Sequence, residues 1–433
     1  MPRWTDHAIF WHVYPLGFVG AEPTATGADP VHHRLGQLVD WLDYAVELGA
    51  SALALGPVFA AESHGYDTVD HFRIDPRLGD EDDFARLVDE AHRRGLRVVL
   101  DGVFNHVGRA FPAYRRVLAD GPAAPEAGWF RLTWTDAAEP TYATFEGHPG
   151  LIALNHDEPA VAEYVERVLR YWLARGADGW RLDAAYAVPT GFWAAVLPRV
   201  RAAHPDAYLV GEVIHGDYGQ IVRDTGMDAV TQYELWKAIW SALNDRNLFE
   251  LAWALDRHNG WLETFAPLTF VGNHDVTRIA SRLTDDRHLP HALAVLATIG
   301  GTPSVYAGDE QAFRGVKEER AGGDDAVRPA FPARPDELAP YGWPTYRLHQ
   351  ELLGLRRRHP WLHRARTEVI HLANEQMVYR TGDLAVALNL ADAPADHEIP
   401  GATAVLAGQA TVGARVTVPA HGWAVLSAPP PDC

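Results

Sequence analysis

The sequence predicts an α/β fold: a (β/α)8 TIM barrel with a short insert after strand 3 and a C-terminal antiparallel β-sandwich domain. Short apolar runs alternate with amphipathic segments about eight times, which is the count of such a barrel. The alternation is interrupted after the third run, and the period changes near residue 362. We therefore expect a barrel at 1–107 and 158–361, an inserted subdomain B at 108–157 and a sandwich at 362–433.

The barrel units can be followed in chain order. Helical spacing of Leu35, Leu38, Leu42 and Ala45, ended by Gly49, is typical of the segments between the apolar runs. The apolar runs predict strands at 9–15, 52–59, 96–104, 179–184, 207–213, 228–233, 268–273 and 303–307. The amphipathic segments predict helices at 35–49, 81–94, 161–175, 191–203, 248–258, 290–299 and 345–359.

The insert and the tail differ from the barrel in composition and period. Residues 108–157 are rich in Pro, Gly, Ala and Trp, as expected of a subdomain placed between the third strand and its helix. The tail has short alternating runs separated by turn signals such as Thr-Gly-Asp and Pro-Gly. Alternation of this kind predicts antiparallel strands.

Composition restricts the partners of the protein. The formal charge of −19 argues against nucleic acid or an anionic membrane as a partner, whereas a neutral ligand feels no such repulsion. No stretch has the length of a membrane span, and residues 1–13 lack the features of a secretion signal. The single cysteine, Cys433, excludes an intrachain disulfide. We therefore expect a cytoplasmic protein.

Polar residues of unusual kinds follow the predicted barrel strands. Because the reacting groups of such barrels lie at the carboxyl ends of the strands, these residues are expected to form one site. The candidates, in chain order, are His64, Tyr66, Asn105, His106, Arg181, Asp183, Glu212, His274 and Asp275. One aspartate in such a place is often only a helix cap, but the set as a whole indicates chemistry.

Paired carboxyl groups are the means by which a glycosidic bond is cleaved, one ionised and one protonated. Arg181 and Asp183 share a strand face, so the arginine is expected to keep Asp183 ionised as the nucleophile. Glu212 follows an apolar run and could keep a raised pKa as the acid. Asp275 is a third carboxylate, suited to stabilising positive charge.

These motifs resemble the α-amylase family of glycoside hydrolases (glycoside hydrolase family 13), in particular its cytoplasmic neopullulanase- and cyclomaltodextrinase-like members. The resemblance covers residues 9 to about 425. It implies that Asp183 is the nucleophile, Glu212 the acid/base and Asp275 the transition-state stabiliser, in a retaining mechanism with a covalent glycosyl intermediate. Substrate-binding roles are implied for Tyr66, His64, His106, Arg181, His274, Asp324 and Arg328.

Departures from the family pattern concern the substrate. Tyr186 and Ala187 stand where endo-acting amylases often have Lys-His, and Ala184 differs from the valine typical of α-1,6-glucosidases. We therefore expect cleavage of α-1,4 bonds in maltooligosaccharides or cyclic α-glucans. An α-glucosyl transferase on the same fold is an alternative. A non-catalytic carbohydrate-binding relative is a further one, although such relatives typically lack one of the three carboxylates.

Cofactors and assembly complete the expectations. No redox or nucleotide cofactor is indicated, and none is expected. Calcium is an alternative, because Asn105 stands at a position that binds calcium in many relatives, although its side chain could instead hold the loop by hydrogen bonds. Spacing does not assign further oxygen ligands, such as Asp136 or Asp157. A monomer or a homodimer is expected.

Overall fold

The computed structural model describes residues 3–27, 29–135, 140–320 and 322–429. Eight parallel strands form one sheet, in the spatial order β6-β5-β4-β3-β2-β1-β8-β7. Their bounds are β1 Phe10–Val13, β2 Ala52–Leu55, β3 Arg97–Val103, β4 Gly179–Asp183, β5 Tyr208–Gly211, β6 Ala229–Val230, β7 Leu268–Phe270 and β8 Thr302–Tyr306. A parallel bridge between Thr231 and Leu268 closes the sheet into a barrel.

Helices follow the strands around the barrel. They are Pro15–Phe18, Leu35–Asp40, Leu42–Leu48, Glu81–Arg93, Pro112–Asp120, Pro159–Leu173, Thr190–Ala203, Tyr218–Thr225, Tyr233–Asn244, Leu248–Leu262, Ile279–Arg282, Leu289–Thr298 and Trp343–Arg358. Local signals set several ends: the Asp80 carboxylate accepts from the backbone of Asp82 and Asp83 and so caps Glu81–Arg93. None of the helices in the described ranges is both long and apolar enough to span a membrane.

Five tryptophans have essentially no solvent exposure and form much of the packing between barrel and helices: Trp11, Trp41, Trp172, Trp180 and Trp193. Edge-to-face and stacked contacts join several of them to neighbouring rings, as between Trp11 and Trp41, whose centroids lie 6.2 Å apart. These aromatic residues therefore belong to the core, away from any sugar-binding surface.

The region after the last helix contains two antiparallel sheets. One has five strands in the order Thr367–Leu372, Gln376–Thr381, Leu384–Asn389, Trp423–Ser427 and Ala404–Gly408, and the other has Ala395–His397, Val416–Val418 and Thr411–Val412. Strand Leu384–Asn389 is buried throughout, with Val386 packed toward the barrel helices and Ala387 toward Val418 of the smaller sheet. The predicted fold class, a TIM barrel with a C-terminal β domain, is confirmed.

Several segments differ from their predicted extent, and two of them bear on the site. The predicted strand 228–233 is only Ala229–Val230, and Tyr233 begins a helix that was not predicted. The reason is local, because the Gln232 side chain accepts from the backbone N–H of Leu235 and caps that helix. The predicted strand 52–59 ends at Leu55, and Phe59–Ala61 instead pairs with Thr68–Ile74 in a hairpin that carries His64 and Tyr66.

The segment between β3 and its helix has little regular structure. Strand His106–Gly108 pairs antiparallel with Leu151–Ala153, and Leu132–Thr133 pairs with Thr141–Tyr142. The backbone N–H of Leu154 donates to the carbonyl of Asn105, which ties the return of this segment to the end of β3. The segment therefore stands beside the carboxyl end of the barrel.

Candidate active site

Arg181 lies at the centre of a buried carboxylate cluster at the carboxyl ends of the strands. Its Nη1 contacts Asp101 at 2.6 Å and Asp183 at 3.2 Å, and its Nη2 contacts Glu212 at 2.6 Å. Asp275 Oδ2 is 3.9 Å from the same Nη2. One guanidinium thus holds together the three carboxyl groups predicted to be catalytic.

Glu212 has two further donors. Its Oε2 accepts the backbone N–H of Ala184 at 3.0 Å, and its Oε1 accepts the hydroxyl of Tyr233 at 3.1 Å. Ala184 has φ +44° and ψ +38°, a left-handed conformation that is costly for a residue with a side chain. That turn directs the N–H at Glu212, so β4 and β5 are coupled directly after Asp183.

A second group of side chains surrounds Asp275. His274 Nε2 lies 3.0 Å from Asp275 Oδ2 and is also within hydrogen-bond reach of the Tyr66 hydroxyl, which donates to Asp101 at 3.1 Å. The rings of Tyr66 and His274 are parallel, with centroids 5.5 Å apart. This network joins the hairpin after β2 to the end of β7.

Arg328 anchors the other side of Asp275. Its Nη2 lies 2.7 Å from Asp275 Oδ1 and 3.2 Å from Asp324 Oδ2, and its Nε donates to the carbonyl of His274. Its guanidinium carbon is 4.6 Å from the ring centre of Tyr14. The predicted pair Asp324 and Arg328 is therefore brought to the site.

The remaining predicted residues lie around this cluster. His106 is buried, stacks on Phe145 with centroids 4.7 Å apart, and receives the Asn105 amide on its Nδ1. Burial lowers the pKa of His106 to about 3, so the ring is neutral. His64 is exposed on the hairpin, and its Nδ1 accepts the backbone N–H of Tyr66.

The ionisation of two carboxyl groups is perturbed in opposite directions. Burial, and next the charge of Glu212, hold the pKa of Asp183 well above its usual value despite Arg181. Burial also acts to raise the pKa of Asp275, but His274, Arg328 and Arg181 outweigh it and hold that pKa well below the usual value. Arg181 acts to lower the pKa of Asp183 as expected, but burial and the charge of Glu212 outweigh it.

An open cleft of about 930 Å³ lies above the cluster. Tyr66, Asp275, Asp324 and Arg328 reach its wall, and the hairpin and the insert complete it. Its described lining residues include seven carboxylates and three lysine or arginine side chains. This acidic lining disfavours anionic ligands and leaves neutral ones unaffected.

Several residues of the site were not assigned from the sequence. Asp101 and Tyr233 bond to the cluster, and Asn273 donates its amide to the Tyr233 hydroxyl at 2.9 Å. Asp101 lies in the same sequence motif as His106, and Asn273 in the same motif as Asp275. Their positions at the ends of predicted strands could therefore have indicated that they belong to the site. Tyr233 had none, because it was assigned to a strand.

Asn105 and Asp157, the residues considered for calcium that the structure describes, do not form an oxygen cage. Asn105 directs its amide nitrogen at His106, and Asp157 is largely exposed and 3.6 Å from Arg131. Asp136 lies outside the described residues. Calcium prefers six to eight oxygen ligands, and Asn105 and Asp157 do not supply such a set here.

Comparisons with known proteins agree with this geometry. The model of the α-amylase catalytic domain family matches residues 12–363. A cyclomaltodextrinase of a Bacillus species is 35% identical over 341 residues, which are 72% of this chain and 61% of that protein. The chain spans about two thirds or less of the length of this relative and of two further curated relatives that it matches.

Solved structures match over nearly the whole chain. The acarbose-soaked debranching enzyme of Nostoc punctiforme has a TM-score of 0.82 and 28% identity, with 99% of each chain covered. The cyclic α-maltosyl-(1→6)-maltose hydrolase of Arthrobacter globiformis has a TM-score of 0.81 and 27% identity, covering 98% of this chain and 99% of that one.

Proposed function

The chain belongs to the α-amylase family of glycoside hydrolases, and on that premise we propose that it cleaves α-glucosidic bonds with retention of anomeric configuration. The observation that carries the proposal is the shared contact of Arg181 with Asp183, Glu212 and Asp275 at the barrel rim. Two carboxyl groups beside one scissile bond are what this chemistry requires.

In the first step Asp183 attacks the anomeric carbon while Glu212 gives its proton to the glycosidic oxygen. The bond from that carbon to the oxygen breaks, the leaving sugar departs with the proton, and a glycosyl-Asp183 ester forms. In the second step Glu212 takes a proton from water, the hydroxide oxygen attacks the same carbon, and the Asp183 carboxylate leaves. Glu212 ends protonated, so the cycle balances.

Asp183 must be ionised to attack the anomeric carbon. The raised pKa of Asp183 means that the free enzyme holds a proton on this carboxyl more readily than an isolated aspartate does. Glu212 lies on the same guanidinium, so a proton can remain within the pair when a sugar enters. We assign Glu212 the proton in the substrate complex.

Asp275 is the group best placed to stay ionised, since its pKa is held low by three neighbours. We assign it the stabilisation of the oxocarbenium-like charge. Tyr66 stands beside it on the wall of the cleft as the platform for the sugar ring, and His106, His274 and Arg328 as partners for hydroxyls. His64, Asp324 and Arg181 complete the proposed substrate-binding set.

We propose α-1,4 bonds of maltooligosaccharides or cyclic α-glucans as the substrate, as the Bacillus relative's name suggests for that protein. Cleavage of α-1,6 bonds is the second candidate, because the two solved structures carry the names of a debranching enzyme and a (1→6)-maltose hydrolase. Transfer to a second sugar would use the same intermediate. A cytoplasmic location, monomer or homodimer assembly and no cofactor stay predictions.

The test is a time course of products from linear maltooligosaccharides, cyclodextrins, pullulan, isomaltose and panose. Products with retained configuration at the new reducing end, and loss of turnover in Asp183→Asn, are expected. Absence of turnover on every α-glucoside would refute the proposal. Longer products that precede glucose would identify transfer, and cleavage of panose only at its α-1,6 bond would favour the second candidate.

A further inference from the structure

A group of imidazoles and carboxylates lies far from the cleft, where the barrel meets the C-terminal sheets. Asp285 and His288 come from the short helical turn before helix Leu289–Thr298, and His421 comes from the turn before strand Trp423–Ser427. One ligand atom from each of the three lies within 4.8 Å of the others. No step of the proposed hydrolysis uses them.

The nitrogens of this group already face one another. His288 Nε2 is 3.1 Å from His421 Nδ1. Two nitrogens on one tetrahedral zinc ion, each at about 2.0–2.1 Å, are about 3.3 Å apart. The two nitrogens are therefore within about 0.2 Å of the separation that one zinc ion requires, and a turn of the rings would aim both lone pairs at the ion.

The protonation of the histidines also suits a ligand role. Asp392 Oδ1 lies 2.6 Å from His421 Nε2, so that nitrogen carries the hydrogen and Nδ1 presents a lone pair toward His288. His288 is buried, and its Nε2 faces the Nδ1 of His421. A carboxylate behind a ligating histidine is the usual support of a metal site.

A further imidazole borders the group. His291 is buried with its ring centre 5.1 Å from that of His288, and its Nε2 lies 2.9 Å from the carbonyl oxygen of Gly422. The His291 Nδ1 has no hydrogen-bond partner within the part of the chain that the structure describes. Asp285 and His421 are partly exposed, so an ion can enter from solvent.

We propose that Asp285, His288 and His421 form a binding site for a divalent transition-metal ion of the zinc type, with Asp392 as the positioning residue of His421. Two imidazole nitrogens and one carboxylate oxygen are ligands that zinc prefers, and water completes a fourth position. Because its ligands come from both parts of the chain, a bound ion would fasten the C-terminal sheets to the barrel.

The test uses the full protein after treatment with a chelator. Titration calorimetry with Zn²⁺ is expected to show one equivalent bound in the wild type and none at that affinity in His288→Ala or His421→Ala. Asp392→Asn is expected to bind about 10–100-fold more weakly. An excess of Zn²⁺ is expected to raise the thermal midpoint of the wild type by about 2–4 °C and to leave that of His421→Ala unchanged.

His33→Ala is the matched control, since exposed His33 forms a comparable cluster with Asp80 and the buried Asp83. Binding of one equivalent of Zn²⁺ by His33→Ala would support the proposal. Loss of Zn²⁺ binding in this variant would overturn the proposal. Equal Zn²⁺ binding by the wild type and His421→Ala would also overturn the proposal. The contact between His288 and His421 would then be only a hydrogen bond. Asp392 is largely exposed, so Asp392→Asn is expected to fold. This variant therefore still tests the proposal if a histidine variant does not fold.

The wild type alone gives an independent measurement. Co²⁺ bound by two imidazoles and a carboxylate is expected to show the visible absorption of a four-coordinate ion, removable by one equivalent of Zn²⁺. A spectrum of hydrated Co²⁺ only would contradict the site.

Discussion

The hydroxyl of Tyr186 donates a 2.8 Å hydrogen bond to Oε1 of Glu146, and this bond joins the turn after β4 to the insert across the mouth of the cleft. Tyr186 also lies against His215, with ring centres 5.4 Å apart. Since Tyr186 follows the proposed nucleophile by three residues, we expect the bond to narrow the side of the cleft on which a leaving sugar would depart.

Removal of this bond is expected to favour longer substrates. Tyr186→Phe and Glu146→Gln should each raise kcat/KM for a long maltooligosaccharide relative to maltotriose by about 3–10-fold, because a hydrogen bond of about 1 kcal/mol no longer closes the cleft. Tyr142→Phe, which removes another hydrogen-bonded tyrosine hydroxyl of the insert, is the control. An equal gain in that control would show that the insert merely loosens.

Asp183→Asn is expected to lower kcat by at least about 10³-fold and to raise stability at pH 7 by about 1–2 kcal/mol. The pKa of Asp183 is higher in the native than in the unfolded chain, so its contribution to stability is present at low pH and is lost as pH rises from about 4 through the raised pKa. Asn carries no such loss.

Urea unfolding of both proteins at pH 4 and pH 7 measures this difference. Burial also raises the pKa of Asp309 to about 6 and that of Glu310 to about 7, but both groups are common to the two proteins and cancel in the comparison. If Asp183→Asn were less stable than the wild type at pH 7, the raised pKa of Asp183 in the native protein would be contradicted.

Glu212→Gln is expected to move the acid limb of kcat/KM to lower pH. Ionised Asp183 is needed for attack, so activity falls as pH drops through its pKa, and the charge of Glu212 is the second largest cause that raises this pKa. The substrate should be α-maltosyl fluoride, whose leaving group needs no acid. Glu146 is a cleft carboxylate that does not contact Asp183, so Glu146→Gln should leave the acid limb at its wild-type pH. An acid limb that stays in place in Glu212→Gln would refute the electrostatic coupling of Glu212 to Asp183.

Arg328→Lys is expected to lower kcat/KM by about 10–100-fold, because a lysine cannot contact Asp275 and the His274 carbonyl together as the guanidinium does. Asp324→Asn removes the negative charge that pairs with the same Arg328 at 3.2 Å and with Lys317 at 3.5 Å, and it should raise KM with kcat nearly unchanged. Steady-state kinetics on maltotriose separates the two. Equal losses would mean that Arg328 acts only through Asp324.

The sequence was sufficient for the positions of the site because strand period and barrel topology determine them. Asp183, Glu212 and Asp275 each follow an apolar run, and parallel strands bring such ends together. Asp324 and Arg328 come from a stretch without period, and only the family resemblance indicated them.

Ionisation could not be obtained in the same way. The pKa of Asp183 depends on how Arg181 divides its contacts among three carboxylates from three strands, and on burial that no single segment determines. Tyr233 was missed for a related reason. Its segment favours strand by composition, and the capping bond of Gln232 decides for helix.

The barrel closes through its weakest seam beside the proposed acid. Strand β6 has only two residues. In the described residues, the backbone contacts that join its end to β7 are the Thr231–Leu268 bridge and the hydrogen bond from the Gln232 N–H to the Leu268 carbonyl. Tyr233, which donates to Glu212, is the next residue. Amide hydrogens along this seam should exchange with deuterated solvent sooner than those of β3 and β4, and each local opening would displace the donor that orients the acid.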